Sequence, residues 1–424
     1  MTAVADAATG TRHDSYLAGL LANRIPGRPL ESPFYTSREI FDLDLFAIFA
    51  RSWLFVANEG EIPEPGDYLT VEIGTYSVII VRDDDDQVRA WHNVCRHRGA
   101  RILDGPDGSV ANIVCGYHKW TYGVDGPLLH AGQQAADFDR SCFGLKPVHV
   151  RSVAGLIHLC LADEPPVDFD EVVERIEPYL LPHQLRRAKV AAREEIIEDG
   201  NWKLVMENNR ECYHCDGHPE LSCSLFPTYG YSEADLPTRL RPVFDRYLQA
   251  DADLERTCEG QGLPFARIEE LDGRVSGFRI QREPLDGAGE SFSADGRAIS
   301  RRLLGDLPTP RLGRLSMHHQ PNAWIHVLSD HAVTCCVLPL APDKTLLRTT
   351  WLVHPDAVEG EDYDREALTN VWRKTNLQDG AFVARAQLGV SSPAYEPGPY
   401  TRSEYQVEAF CNWYVTRLRE QVAS

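Results

Sequence analysis

Residues 91–120 read WHNVCRHRGARILDGPDGSVANIVCGYHKW, and within them Cys95 and His97 are followed, after seventeen intervening residues, by Cys115 and His118. The pattern C-x-H-x17-C-x-x-H has two half-sites of the same composition. Two thiolates and two imidazoles suit either a zinc ion or a two-iron, two-sulfide cluster. In a Cys2His2 finger the cysteines come together and the histidines come together, whereas here each short loop supplies one of each. A cluster with two Cys on one iron and two His on the other asks for this mixture, which raises its potential above that of an all-Cys cluster. The spacing therefore predicts two hairpin tips clamping a two-iron centre.

The flanks predict loops between strands. The apolar run TYSVIIV and the acidic turn DDDDQ precede the first half-site, and the second leads into GVDG, an Asp-Gly hairpin signal. Neither ligand loop holds a further cysteine.

At 424 residues the chain can bury a large core and is expected to divide into roughly two or three domains. Its 43 Lys and Arg against 63 Asp and Glu give a net charge of -20 with no basic stripe, which argues against nucleic acid as a partner. The sequence shows neither a long apolar run nor a charged-then-apolar leader, so no membrane association and a cytoplasmic location are expected. In that compartment the 11 cysteines are expected to stay reduced. Cys212 and Cys215 form a C-x-x-C, but without the βαβ context of a redox motif.

Residues 1 to about 30 are rich in Ala, Gly and polar side chains and read as a mobile arm. In SPFYTSREIFDLDLFAIFARSWLFVAN, Ser37 is a helix N-cap signal ahead of an apolar periodicity. From about Pro165 the texture changes to ADEPPVDFDEVVERIEPYLLP, a Pro-Pro boundary and an acidic helix. Residues 271–312 read as hairpins and loops, while HHQPNAWIHVLSDHAVTCCVLPL and TLLRTTWLVH alternate like strands of an antiparallel sheet. The expected division is an N-terminal arm and helix over 1–47, a cluster domain over 48–164 and a second domain over 165–424.

That second domain carries its own constellation. In GNWKLVMENNRECYHCDGHPE, good helix formers predict a helix on which Glu211, His214 and His218 fall at i, i+3 and i+7, one stripe. Two imidazoles and one carboxylate with open positions is the arrangement of non-haem Fe(II) oxygenases. Spacing leaves the carboxylate open. Glu211 lies on the right stripe; the rival is Asp379, which in REALTNVWRKTNLQDGAFVARAQLGV shares a helical face with Leu368, Trp372, Thr375 and Phe382. A carboxylate in line with apolar residues is either paired or metal-bound.

The stretch Trp53–Leu161, through CRHRG and CGYHKW, resembles the Rieske domain of ring-hydroxylating-type oxygenases, and the missing extra Cys pair separates it from quinol-oxidising Rieske proteins. NWKLVMENNRECYHC, the Asn-x-Gln-Asp around Asp379 and the tail GVSSPAYEPGPY resemble the catalytic domain of Rieske non-haem iron oxygenases. The resemblance implies an α+β chain: an all-β Rieske [2Fe-2S] domain and a helix-grip catalytic domain with an antiparallel sheet and covering helices. It implies Cys95, His97, Cys115 and His118 as cluster ligands, and His214, His218 and Asp379 as ligands of a mononuclear Fe(II). Glu211 is then the bridge between the iron site and the cluster of a neighbouring subunit in a head-to-tail homotrimer. A separate reductase with flavin and a plant-type iron-sulfur cluster, fed by NAD(P)H, is the implied electron source.

Glu rather than Asp at position 211, with WLVHPDAVEGEDYD, resembles the branch acting on small quaternary-ammonium, betaine-like substrates, which implies oxidative N-demethylation releasing formaldehyde. The alternatives are an aromatic-ring hydroxylating dioxygenase large subunit and a Rieske electron carrier fused to a binding domain. Trp324 and His326, in NAWIHVL, are pocket candidates by the same resemblance. One departure is that many relatives place four residues between the two histidines, and this chain has three, Cys215 to Gly217.

Overall fold

The computed structural model describes residues 16–228, 231 and 233–423. Strands of the N-terminal half are β1 (Leu54–Asn58), β2 (Asp67–Ile73), β3 (Tyr76–Arg82), β4 (Val88–His92), β5 (Asp107–Ser109), β6 (Ile113–Val114), β7 (Thr121–Tyr122), β8 (Leu128–His130), β9 (His149–Val153) and β10 (Leu156–Cys160). They form small antiparallel sheets in the orders β4-β3-β2-β5, β6-β7-β8 and β1-β10-β9. The tetra-aspartate turn between β3 and β4 closes on Asp83, whose carboxylate accepts from the backbone N–H groups of Asp85 and Gln87 and pairs with Arg89 at 2.7 Å. A small apolar core built from Tyr68, Ile79, Ile102, Ile113, Trp120 and Tyr122 lies beneath the two Cys-His loops.

The second half is organised by one seven-stranded antiparallel sheet, order β11-β17-β16-β15-β14-β13-β12. Its strands are β11 (Lys189–Glu198), β12 (Ile268–Glu270), β13 (Phe278–Glu283), β14 (Arg314–His319), β15 (Ala323–Val327), β16 (Ala332–Ala341) and β17 (Lys344–Val353). The alternation seen in the sequence does not mark a solvent face: β13, β14 and β15 are buried at every position. Their polar residues, Arg279, Gln281, Arg314, Ser316 and His318, instead floor an internal cavity.

The longer helices are α1 (Arg38–Ala47), α2 (Phe169–Leu180), α3 (Trp202–Asn208), α4 (Arg241–Gly260), α5 (Arg365–Val390) and α6 (Tyr405–Ala423), and of these α1, α3 and α6 meet in the core. Ser37 caps α1 as expected, its hydroxyl accepting from Ile40 N. Asp44 of α1 is buried and ion-paired with Lys203 of α3, and its carboxylate also accepts from Trp202 Nε1 at 2.9 Å and from the Tyr414 hydroxyl of α6 at 2.6 Å. One buried charge pair thus ties three helices distant in sequence. Residues 1–15 of the expected arm lie outside the described residues. The rest of it is corrected: residues 16–22 are helical, and Leu17, Leu21 and Leu30 are buried in the core because their apolar side chains face it. Among the described residues no helix is long and apolar enough to cross a membrane.

Candidate metal centres and their cavity

The two Cys-His loops are the same turn made twice. Cys95 O accepts from Gly99 N at 2.9 Å and Cys95 N donates to Ala100 O at 2.8 Å; Cys115 O accepts from Lys119 N at 3.1 Å and Cys115 N donates to Trp120 O at 2.9 Å. In each, the fourth residue after the cysteine has a left-handed backbone, Gly99 at φ 74° and Lys119 at φ 59°. Both thiols are buried and both imidazoles are exposed. The ring centroids of His97 and His118 are 4.6 Å apart, and Trp120 stacks on His97 at 4.8 Å. The Cys95 thiol lies 3.3 Å from the Tyr122 hydroxyl, which also accepts from Arg96 N. Two converging sulfurs held inside and two imidazoles at the surface fit a [2Fe-2S] cluster whose His-bearing iron faces outward.

The second centre draws on two elements some 160 residues apart in sequence. Gly200 makes the approach possible: a Cβ there would meet Val383 Cγ1 of α5 at 2.4 Å. Asn201 then fixes it, its side chain capping α3 at Lys203 N while its own N–H donates to Gln387 Oε1 of α5 at 2.9 Å. The helix expected to carry Glu211, His214 and His218 on one stripe ends at Asn208 instead. Asn208 and Asn209 are poor helix formers, and Arg210 N closes a tight turn onto Glu207 O at 3.0 Å. His214 sits in a helical conformation and His218 in an extended one, separated by a single 3-10 turn, Cys215–Gly217. The three-residue spacing is therefore served by this turn and not by a regular helix.

His214, His218 and Asp379 each offer a ligand atom, all within 4.8 Å of one another. Asp379 Oδ1 is 3.0 Å from His218 Nε2 and 3.3 Å from His214 Nε2. Each histidine is oriented through its other nitrogen: His214 Nδ1 meets Glu211 Oε1 at 2.5 Å, and His218 Nδ1 meets Gln378 Oε1 at 2.6 Å. His218 Nε2 is buried and faces the Asp379 carboxylate. Paired ring nitrogens behind and converging nitrogens in front are how metal-binding imidazoles are held, so the residues fit a divalent metal. Burial pulls the His214 imidazole down, but its hydrogen bonds to Asp379 and Glu211 outweigh this and lift it to about 9. Burial pushes Asp379 up, yet hydrogen bonds to both histidines hold it below the usual carboxylate range. A metal binding here displaces imidazole protons as it enters. Behind the triad, burial and the charge of Asp379 push Glu198 up to about 8.

The triad opens on a cavity of about 430 Å³, lined among others by Trp372, Phe244, Tyr247, Arg210, His318 and His326. His326 stacks on Trp372 at 4.5 Å. Of the two pocket candidates, His326 lines the cavity and Trp324 does not; Trp324 is packed in the apolar core. Sequence reasoning missed three participants. Trp372 stood on the Asp379 face but was given no pocket role. Gln378 stood inside the Asn-x-Gln-Asp motif, and Glu220, which accepts from Gln378 Nε2 at 3.3 Å, had no signal at all. Gln378→Ala is expected to weaken iron retention by roughly 10- to 100-fold while leaving the cluster intact. Iron titration of the chelated protein checks it; unchanged affinity removes Gln378 from the site. The cysteine expectation also needs correction: Cys212 and Cys215 are joined in a disulfide, since the turn around His214 brings their Cα atoms to 4.9 Å.

Both halves of the chain match known proteins. Residues 52–149 match the Rieske [2Fe-2S] domain model and residues 185–420 match the ring hydroxylating alpha subunit catalytic-domain model. The chain is 45% identical over 400 residues to the glycine betaine monooxygenase oxygenase subunit of Chromohalobacter salexigens, covering 94% of this chain and 87% of that one. It is 40% identical over 410 residues to the Pseudomonas aeruginosa protein with the same description, covering 95% and 91%. Its fold is similar to the crystal structure of the quaternary ammonium Rieske monooxygenase CntA, with a TM-score of 0.69 at 21% identity, covering 94% of this chain and 97% of that one.

Proposed function

Because the chain belongs to the ring-hydroxylating alpha-subunit family of Rieske non-haem iron oxygenases, we propose that it is the oxygenase component of a monooxygenase that removes an N-methyl group from a small quaternary-ammonium, betaine-like substrate. The observation that carries the reading is the triad of His214, His218 and Asp379, its histidines oriented from behind, opening on a cavity of small-ligand size. The choice of substrate class is supported by the two glycine betaine monooxygenase relatives.

Cys95, His97, Cys115 and His118 would hold the [2Fe-2S] cluster, and His214, His218 and Asp379 the mononuclear iron. When bound, these groups supply single electrons and O2 activation beside the substrate. The chain's own part is placement. The exposed His97 and His118 rings are the surface a reductase meets, one that draws on NAD(P)H through flavin. Glu211, with one oxygen on His214 and the other accepting from Tyr213 N, would bridge to a cluster histidine of the neighbouring subunit in a head-to-tail homotrimer. Aromatic faces at Trp372, Phe244 and Tyr247 take the methylated cation, which offers no hydrogen-bond donor. One oxygen atom enters an N-methyl C–H bond and the other leaves as water, using two electrons from the reductase and two protons from solvent. The C–N bond then breaks to give formaldehyde and the tertiary amine, and a proton leaves to solvent.

The test is a panel of glycine betaine, stachydrine, carnitine, choline and an arene, run with reductase and NADH and scored for formaldehyde. Formaldehyde from a betaine supports the reading; a cis-diol from the arene with no formaldehyde overturns it in favour of a ring dihydroxylase. Glu211→Ala is expected to keep both metal centres and lose coupled turnover. Should Glu211→Ala empty the mononuclear site instead, the roles of Glu211 and Asp379 have been exchanged.

A further inference from the structure

Arg210 immediately precedes Glu211 and lines the same cavity as the triad, yet it is only 1% exposed. Its Nη2 donates to Gln320 Oε1 at 2.8 Å, and its guanidinium carbon lies 5.9 Å from the centroid of the Phe410 ring. Its Nε and Nη1 have no hydrogen-bond partner. Two other arginines of this wall are matched by carboxylates, Arg279 by Glu269 at 2.6 Å and Arg314 by Glu283 at 2.7 Å, and the buried Arg282 donates to the Leu312 carbonyl at 2.9 Å. Among the described residues no ion pair is made by Arg210. A guanidinium cannot escape the cost of burial by shedding its proton near neutral pH. Burial and the nearby Arg279 lower it only to about 9. The same crowding of positive charge, after burial itself, keeps His318 neutral. The cavity is therefore lined by both signs of charge, carboxylates at the triad in Asp379 and Glu211 and a buried cation with spare donors in Arg210.

A zwitterion with a cationic and an anionic end matches that lining. We propose that Arg210 is the anchor for the carboxylate of the substrate, donating to it through the hydrogens it leaves unused, so that the methylated ammonium is turned toward His214, His218 and Asp379. The proposal rests on the betaine reading above. It makes Arg210 a specificity-determining residue, because a ligand lacking the carboxylate leaves the guanidinium buried and unmatched. A planar donor fork suits a carboxylate where an ammonium does not, so Arg210→Lys is not a neutral change.

Anaerobic calorimetry on the iron-loaded enzyme tests this with two probes, glycine betaine and its methyl ester. In the unsubstituted enzyme the ester is expected to bind roughly 100-fold more weakly than the acid. Arg210→Gln should lose about the same factor for glycine betaine while binding the ester unchanged, and Arg210→Lys should fall between. Equal binding of acid and ester to the unsubstituted enzyme overturns the proposal, as does an Arg210→Gln protein, with its cluster spectrum intact, that weakens for both probes alike. Where Arg210→Gln does not fold, the ester comparison and Arg210→Lys still decide the matter. Formaldehyde is scored separately. Carboxylate-selective binding without formaldehyde leaves the anchor standing and removes the demethylase reading.

Discussion

Asp379→Ala is expected to lower the iron content from about three to about two atoms per chain, with the cluster's visible spectrum unchanged and substrate oxidation abolished. Asp379 Oδ1 lies within 3.3 Å of both Nε2 atoms, so it is the group on which the two imidazoles converge. Without it, two neutral nitrogens remain, and they come from a short irregular turn that α5 no longer meets through a carboxylate. Glu198 is an acidic group behind the site, but burial and the charge of Asp379 hold it largely protonated at neutral pH. The substitution removes the charge that raises Glu198, yet leaves that residue on β11 behind the site. Elemental analysis beside optical spectroscopy separates the two centres. Retention of the third iron would show that Asp379 is not a ligand.

Lys203→Met is expected to destabilise the catalytic half by about 3–5 kcal/mol. Asp44 and Lys203 are both fully buried, and burial pushes the Asp44 carboxyl up and the Lys203 ammonium down while each holds the other charged. Removing only the lysine leaves a carboxylate in the core with Trp202 and Tyr414 as donors but no countercharge. The first thermal transition should drop by roughly 10 °C or more. Adding Asp44→Asn should recover much of the loss, because desolvating an unmatched charge, more than losing the pair, is what destabilises the single variant. A double variant no more stable than Lys203→Met would show that the pair itself carries the stability.

What could be read from the residues follows the range of the interactions. The Cys-His half-sites, the Ser37 cap and the antiparallel strands from His318 onward are written in spacings of a few residues, where local geometry sets the answer. The end of α3 at Asn208 was hidden because the helical spacing of Glu211, His214 and His218 continues past it. The two asparagines and the burial of Arg210 override that periodicity. Gln378 behind His218, and Glu220 behind Gln378, depend on α5 lying against a loop some 160 residues earlier, which no short window contains. The resemblance of NAWIHVL offered both Trp324 and His326 to the pocket, yet only His326 reaches the cavity, where it stacks on Trp372 of α5.

The two halves of the chain are welded along β1. Phe55 exchanges backbone hydrogen bonds with the Asn322 side chain at 3.2 and 2.8 Å, Asn58 Nδ2 reaches Thr334 Oγ1 at 3.0 Å, and one apolar core runs through both halves. A joint of this kind leaves no hinge for the halves to swing on. The separation between the cluster loops and the triad is therefore a constant of the folded chain. In the head-to-tail trimer proposed above, electrons would cross between subunits, so each rigid chain presents its cluster loops and its triad at fixed positions and the subunit interface sets the gap. On that proposal, control of the current would fall to what docks at the exposed His97 and His118 rings and to the carboxylate of Glu211.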